Sequence, residues 1–400
     1  MGKKNKNSKN KAKKKNTETK KVNSELKRAV QKSTSVDDEQ IKEKEFRQQL
    51  EQDLNTTILA MAQDPTNAQN YHNLARLYAL DEKYDKVTSV YESLLNIHPD
   101  DSLALLNLGS IWFFQKEYKK ALIYYQKAMD VDPENYLVYY NLGNTYSEMK
   151  NFSKALKFYN RSIDFYSNNP EVYNAIALLY HDFEDYVESK AYYEKALSID
   201  PDNLTSHIDL GNIYFKLFDY KNALKHYLKV FELKPDNKTV TICIANTYSL
   251  MKDKENSYKF FDISLKIPGD NYKTYICYAI AKSDFQDTKG ALKLYDKAIK
   301  ENPQQMNAYI LEGNMYSNMK DYDKALEYYN RALSLSPNDP GIHVLIANTY
   351  YMATRIEDSL KSYRYAVNLV PENDEYKLVY IQLLEDYIVE ERSGELLTGV

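Results

Sequence analysis

The stretch that decides the fold is residues 306–339, with the sequence MNAYILEGNMYSNMKDYDKALEYYNRALSLSPND. Its apolar and small residues recur every three or four positions through two segments, and Pro337 follows the second one. This spacing places them on one face of each of two amphipathic helices. Proline disfavours the helical conformation in the residue before it, so Pro337 ends the second segment. The stretch therefore predicts a pair of packed helices.

The same pattern returns along the chain with a period of 34 residues, and nine consecutive units fill residues 68–373 without an insertion. Position 32 of seven units is proline, namely Pro99, Pro133, Pro201, Pro235, Pro303, Pro337 and Pro371. Position 8 is always glycine or alanine, and position 24 is always tyrosine or phenylalanine. A shared small residue in one register indicates repeated units of one architecture.

The small residue at position 8 also accounts for the 39 tyrosines of the chain. Where two helices cross closely, only glycine or alanine lets the backbones approach, and a large ring from position 24 fills the adjoining space. Gly143 and Tyr159 form such a pair in the unit 136–169. A leucine in place of Gly211 is accordingly expected to damage folding.

These residues resemble the tetratricopeptide-repeat family. The matching residues are Tyr139, Leu142, Gly143, Tyr146, Ala155 and Tyr159, and again Ala325, Tyr329, Ala332 and Pro337. The resemblance implies an all-α, right-handed superhelical solenoid of antiparallel helix pairs, with about nine repeats plus capping helices. The clearest departure is Lys282, since position 11 is aromatic in the other eight units. We expect a looser joint or a contact point there.

The repeat frame divides the chain into four parts. Residues 1–43 form a basic Lys/Asn-rich tail that has little to bury and is predicted to be disordered. Residues 44–67 are predicted to form an N-terminal capping helix, equivalent to half a repeat, ahead of the nine units at 68–373. Residues 374–400 are predicted to form a closing helix that shields the last unit, with an end that frays from Arg392.

Composition argues against catalysis and secretion. The two cysteines, Cys243 and Cys277, are too few for a disulfide framework or a four-thiolate zinc site and indicate a reducing compartment. The basic start lacks a following apolar segment, and no stretch approaches about 18 consecutive apolar residues, so neither a secretory signal nor a membrane helix is expected. No phosphate-binding loop or metal-binding motif is present in the sequence. We expect a cytoplasmic or, given the lysines, nuclear protein without catalytic residues, metals or cofactors.

The basic tail leaves several interpretations open. Residues 1–32 carry 13 Lys/Arg against two Glu, without aromatic residues that would stack on bases, so specific nucleic-acid binding is not expected. Non-specific attraction to nucleic acid, acidic membranes or acidic proteins would weaken with salt. The alternative is that the tail serves solubility alone.

The resemblance implies that partners bind in a concave groove lined by positions 2, 5, 6, 9, 12 and 13 of the first helices. Position 5 is apolar in five consecutive units, at Ile208, Ile242, Ile276, Ile310 and Val344. If exposed, this stripe would contact a protein partner, and lysine at two of these positions (Ile242 and Ile276) would abolish binding while leaving stability nearly intact. The alternative is that these side chains are core.

Asparagines are the second candidate feature of the groove. They occupy position 6 as Asn73, Asn107 and Asn141, and position 9 as Asn144, Asn212, Asn246, Asn314 and Asn348. An amide offers both a donor and an acceptor, so a row of amides can pair with an extended peptide backbone. The resemblance supports this, because similar rows occur in the repeats of the O-linked N-acetylglucosamine transferases. The alternative is that they only satisfy contacts between helices.

The residues expected to line the groove indicate a non-catalytic protein–protein interaction scaffold or adaptor, which would bind an extended peptide or a helical partner. The clamp by which co-chaperone members of the family grip a peptide carboxylate is absent, since no unit has Lys or Arg at position 5 or 6. Nine packed helix pairs would form a groove with a length on the order of 100 Å. The alternative function is a regulatory or substrate-targeting subunit of a multiprotein enzyme complex.

Overall fold

The computed structural model describes residues 42–398, and for residues 389–398 it describes the backbone only. Regular structure in this range is entirely helical, without a strand. The first helix, α1, covers residues 42–63. The next helices are α2 (Ala68–Leu80), α3 (Tyr84–Ile97), α4 (Ser102–Phe114), α5 (Tyr118–Val131), α6 (Tyr136–Glu148), α7 (Phe152–Phe165), α8 (Pro170–Asp182), α9 (Tyr186–Ile199) and α10 (Leu204–Lys216). They are followed by α11 (Tyr220–Leu233), α12 (Lys238–Leu250), α13 (Lys254–Lys266), α14 (Tyr272–Asp284), α15 (Thr288–Glu301), α16 (Met306–Asn318), α17 (Tyr322–Leu335), α18 (Pro340–Met352), α19 (Ile356–Leu369) and α20 (Asp374–Thr398).

The 34-residue frame matches the helices throughout. Every unit contributes a first helix over positions 1–13 and a second helix that begins at position 17. The chain divides into two compact parts, Met1–Leu179 and Tyr180–Val400. In the first part α2 packs on α3, α4 on α5 and α6 on α7, and in the second the pairing continues from α10 with α11 to α18 with α19. The predicted all-α architecture of repeated helix pairs is confirmed.

A short turn with one conformation joins the two helices of each unit. The residue at position 15 has a positive φ in all nine units, between 55° and 63°, although none of the nine is glycine. The next residue is often an aspartate or asparagine that caps the second helix, as Asp321 does by accepting a hydrogen bond from the Lys324 backbone N–H. Since the turn and the cap recur, each pair of helices packs with the same geometry.

A hydrogen bond ties many units to the end of the preceding one. Tyr139 Oη, at position 4 of its unit, donates to the Pro133 carbonyl at 2.8 Å. The same contact is made by Tyr71 to Pro65, by Tyr309 to Pro303, by His207 to Pro201 and by His343 to Pro337. The carbonyls near a helix end lack helical partners, so position 4 satisfies a group that the proline-ended helix leaves open.

Both ends of the repeat array carry an extra helix. Leu54 and Met61 of α1 pack against the core cluster of the first unit. Leu383 of α20 is buried with Leu360 and Tyr363 of the last unit. The helix α20 continues to Thr398, and the fraying expected from Arg392 stays a prediction. The tail predicted to be disordered is residues 1–43. Residues 1–41 lie outside the described range, and residues 42 and 43 belong to α1.

Lys282 occupies the position that is aromatic in the other units, but it does not loosen the joint. Its Nζ lies 2.8 Å from Asp287 Oδ2 and 4.2 Å from the centroid of the Tyr258 ring. The lysine side chain is 17% exposed. Its aliphatic stem therefore fills the aromatic position while the ammonium group is paired at the rim. The looser joint or contact point expected at this residue is not what the structure has.

Candidate ligand-binding face

The candidate site is the surface formed by positions 2, 5, 6, 9, 12 and 13 of the first helices, which we call the first-helix face. In the units 102–135, 306–339 and 340–373 none of these positions is Asp, Glu, Lys or Arg. The second helix of the unit 306–339, in contrast, carries Asp323, Lys324, Glu327 and Arg331. In these three units the face excludes charge although 28% of the residues of the chain are charged, and such a surface is suited to contact with another molecule.

Most asparagines at position 9 bind the tyrosine at position 24 of their own unit. Asn144 Oδ1 accepts a hydrogen bond from Tyr159 Oη at 2.8 Å. The equivalent bond joins Tyr227 to Asn212 at 2.8 Å, Tyr329 to Asn314 at 2.7 Å, and Tyr363 to Asn348. The carbonyl oxygen of each amide thus satisfies a contact between helices, which was one of the two interpretations. The two amide hydrogens are not used in this bond.

A tyrosine hydroxyl with the ordinary pKa of 10.0 is already protonated at neutral pH, and burial moves the pKa of these tyrosines further up. Burial raises the pKa of Tyr329 to about 12, against a smaller lowering by Thr349. Burial likewise raises the pKa of Tyr125 to about 12, against a smaller lowering by Ser110. The hydroxyl groups therefore remain protonated at neutral pH and fix the amide oxygens as acceptors.

Units without an asparagine at position 9 satisfy the tyrosine differently. Tyr125 Oη donates to Ser110 Oγ at 3.2 Å within its unit. Tyr91 Oη instead accepts from Asn107 Nδ2, at position 6 of the following unit, at 2.9 Å. The pairing of Asn at position 9 with Tyr at position 24 is visible in the sequence and could have predicted these bonds.

One asparagine of this row breaks the rule. Asn246 shares its unit with Phe261, which has no hydroxyl group. Its amide instead lowers the pKa of the Cys277 thiol, at position 6 of the next unit, against the larger rise that burial causes.

The apolar residues at position 5 are divided between core and face. Ile242 and Ile276 are only 4% and 6% exposed and belong to the core cluster of the second compact part. Ile208, Ile310 and Val344 are half-buried against neighbouring core clusters. Lysine at 242 or 276 would place a charge in the interior, so the expected result of that change becomes a loss of stability. The sequence pattern does not fix the rotation of a first helix against its neighbour, on which this burial depends.

Two grooves open on the first-helix face. The N-terminal groove has a volume of about 820 Å³ and is lined by residues of α2, α3 and α4, including Asn73 and Asn107. Its exposed apolar residues are Leu103 and Phe114, which are 51% and 81% exposed. Drug-sized ligand sites in proteins fall in the same volume range. Asn73 and Asn107 were among the predicted residues of the face, whereas Leu103 and Phe114, at positions 2 and 13, were not singled out because they lie outside the position-5 stripe.

The C-terminal groove has a volume of about 370 Å³ and brings together Asn314 and Asn348. Leu345 and Met352 supply its apolar surface. The other predicted residues of the face, Asn141, Asn144 and Asn212, lie at their expected positions on α6 and α10, half-buried or exposed. Among the side chains that the structure describes, no three or more His, Cys, Asp or Glu are grouped so that they could hold a metal ion.

Repeated helix pairs with a grooved face that carries few charges define a protein-interaction scaffold. Sequence models of the tetratricopeptide repeat match residues 71–103, 100–168, 170–236 and 307–339, which together are about half of the chain. The chain belongs to the tetratricopeptide-repeat family. No helix of the described range has the length and apolar character needed to cross a membrane.

A solved structure supports this fold, and two further ones are similar to a lesser degree. A tetratricopeptide repeat protein from Parabacteroides merdae ATCC 43184 is similar with a TM-score of 0.50 and 14% identity, over 62% of this chain and 98% of that one. The APC/C hetero-tetramer Cut9–Hcn1 aligns with a TM-score of 0.42 and 16% identity, over 79% and 64% of the two chains. Pseudomonas aeruginosa pilF aligns at 0.44 and 15% identity, over 55% and 96%. No curated protein matches the sequence.

Proposed function

We propose that the chain is a non-catalytic adaptor that binds an extended peptide or a helical segment of another protein on its first-helix face. The observation that carries this proposal is the pair of grooves lined by amide and apolar side chains on a face with few charges. Apolar contact would supply affinity, and the amides would fix the orientation of the ligand.

The hydrogen bonds of the asparagines indicate which groups of a ligand they would bind. Oδ1 of Asn314 and Oδ1 of Asn348 each accept a hydrogen bond from a tyrosine hydroxyl group, which leaves both N–H donors of each amide and one lone pair of its oxygen for a ligand in the C-terminal groove. An extended peptide presents backbone carbonyls that accept such bonds. We infer that the amide row binds carbonyl oxygens, while the apolar surface beside it takes side chains.

Site-specific photocrosslinking tests the proposal. Benzoylphenylalanine would be introduced singly at Phe114 and Met352, which lie in the grooves and are 81% and 61% exposed. The matched controls are Ile123 of α5 and Val187 of α9, apolar residues of second helices that are 56% and 74% exposed. In cells, we expect a discrete crosslinked protein from the groove positions and none from the controls. Crosslinks confined to positions 123 and 187 would refute the proposal.

A further inference from the structure

We propose that the N-terminal groove selects peptide segments in which a carboxylate lies next to a large apolar side chain. This inference rests on the proposed function and adds the chemistry of the ligand. It depends on three features of the groove: one permanent cation, a neighbouring amide donor and an exposed apolar surface.

The cation is Arg76 on α2. Among the residues that line the groove in the described structure it is the one with a permanent charge, and none of them is Asp or Glu. The ion pairs formed among the described side chains, those of residues 42–388, do not include Arg76. A guanidinium group matches a carboxylate with two parallel hydrogen bonds, so an unpaired arginine in a groove favours an acidic ligand.

Arg76 does not form the hydrogen bond that the residue at its position forms in most other units. Arg76 stands at position 9, where an asparagine would accept the hydroxyl hydrogen of the tyrosine at position 24. In this unit the tyrosine is Tyr91, and its hydroxyl accepts a hydrogen bond from Asn107 at 2.9 Å. Asn107 thus takes over the contact between helices, and Arg76 lines the groove without making that contact.

A second donor lies beside the arginine. Asn73 precedes Arg76 by three residues on the same helix, which places the two side chains on one face. Asn73 Oδ1 accepts a hydrogen bond from Gln69 Nε2 at 3.1 Å, so the amide hydrogens of Asn73 are the groups left for a ligand. A carboxylate has only acceptors and therefore complements this pair of side chains.

The nearby carboxylate of Asp101 is engaged elsewhere. Asp101 Oδ2 lies 3.0 Å from His72 Nε2, and Oδ1 accepts a hydrogen bond from the Ala104 backbone N–H at 2.8 Å. Asp101 caps α4 in this way and does not line the groove. The apolar contact would come from Leu103, Ile111 and Phe114, which line the same groove as Arg76.

Peptide display on the full chain tests this inference. Random 12-residue peptides would be selected on the wild-type protein, and the affinity of each selected peptide would be measured on four variants. Arg76→Glu reverses the charge, and Phe114→Asp disrupts the apolar surface at a residue that is 81% exposed. Arg364→Glu, at an exposed arginine of the second helix α19, is the matched charge control. Arg76→Gln separates loss of charge from repulsion.

We expect the selected peptides to be enriched in Asp or Glu beside Leu or Phe. Their affinity should fall at least tenfold on Arg76→Glu and Phe114→Asp, fall less on Arg76→Gln, and stay unchanged on Arg364→Glu. Peptides that need Phe114 but are indifferent to Arg76→Glu would overturn the carboxylate inference and leave the adaptor proposal intact. Peptides indifferent to both variants, or the recovery of no binding peptide, would overturn this inference, and binding mapped to second helices would also count against the adaptor proposal.

Discussion

Glu312→Leu is expected to stabilise the protein at pH 8 by about 3 kcal/mol. Glu312 is 1% exposed and stands at position 7 of its unit, where the other eight units have Leu, Ile or Tyr. Among the residues that the structure describes, none forms a hydrogen bond with its Oε2. Burial, reinforced by the charge of Asp296, raises the pKa of Glu312 to about 7, although the Tyr328 hydroxyl and Arg331 oppose the rise. Leucine removes a carboxylate that is costly to bury and fits the space that leucine fills elsewhere in the array.

The same carboxyl group predicts a pH dependence with a definite sign. Its ordinary pKa is 4.5, so the folded state binds a proton more tightly than the unfolded state. The contribution of Glu312 is therefore most favourable below about pH 4.5, falls as the pH rises, and is constant above about pH 7. Chemical denaturation of wild type and Glu312→Leu at pH 5 and pH 8 measures the effect.

The matched control is Glu312→Gln, which keeps the shape and the hydrogen-bonding capacity without the charge. The gap between wild type and either variant should widen from pH 5 to pH 8. Hydrogen exchange would locate the gain in α16 and in the helices α15 and α17 that pack on it. A glutamate that proves as stabilising as leucine at pH 8 would mean that the carboxylate is solvated or paired after all.

Gly211→Leu is expected to destabilise the protein by more than about 3 kcal/mol. A Cβ atom added at Gly211 would lie 2.6 Å from a ring carbon of Tyr227, closer than real Cβ contacts allow. The Tyr227 ring is 2% exposed and its hydroxyl donates to Asn212, so a displaced ring loses both its packing and its hydrogen bond. Thermal unfolding followed by circular dichroism measures the loss.

Two controls separate the close contact from other effects of leucine. Thr205→Leu introduces the same side chain at an exposed position of the same helix and should leave stability nearly unchanged. Tyr227→Ala combined with Gly211→Leu should be less destabilised than the sum of the two single changes, because the alanine makes room for the leucine. Additive losses would show that the two positions do not compete for the same space.

The fold could be predicted because the same contact, between a small residue at position 8 and an aromatic ring at position 24, recurs in each unit. The close approach of Tyr159 to Gly143 is a local contact between positions 16 residues apart, and the sequence states it nine times in one frame. Proline at position 32 predicts the end of the second helix in seven units. The small residue at position 8 predicts which face of the first helix is buried. Single departures such as Lys282 were harder, since pairing with Asp287 and Tyr258 depends on the neighbouring unit.

The candidate site was less predictable from the residues alone. Whether Ile242 is core or face depends on how α12 is rotated against its neighbours, which the period of the pattern leaves undetermined. The groove beside Phe114 depends on the spacing of α2 and α4. Glu312 was missed, although position 7 carried the signal: it is the one charged residue there among the nine units. The sequence does not show that one oxygen of this carboxyl group, Oε2, lacks a hydrogen-bond partner; the packing of the described residues does.

The central claim is that partners bind on the first-helix face, and hydrogen exchange of the complex tests it most directly. The full chain would be compared with and without the partner that photocrosslinking recovers. We expect added protection in the first helices that line the grooves, α2 and α4 or α16 and α18, and unchanged exchange in the second helices α5 and α19. Protection limited to the second helices would contradict the claim.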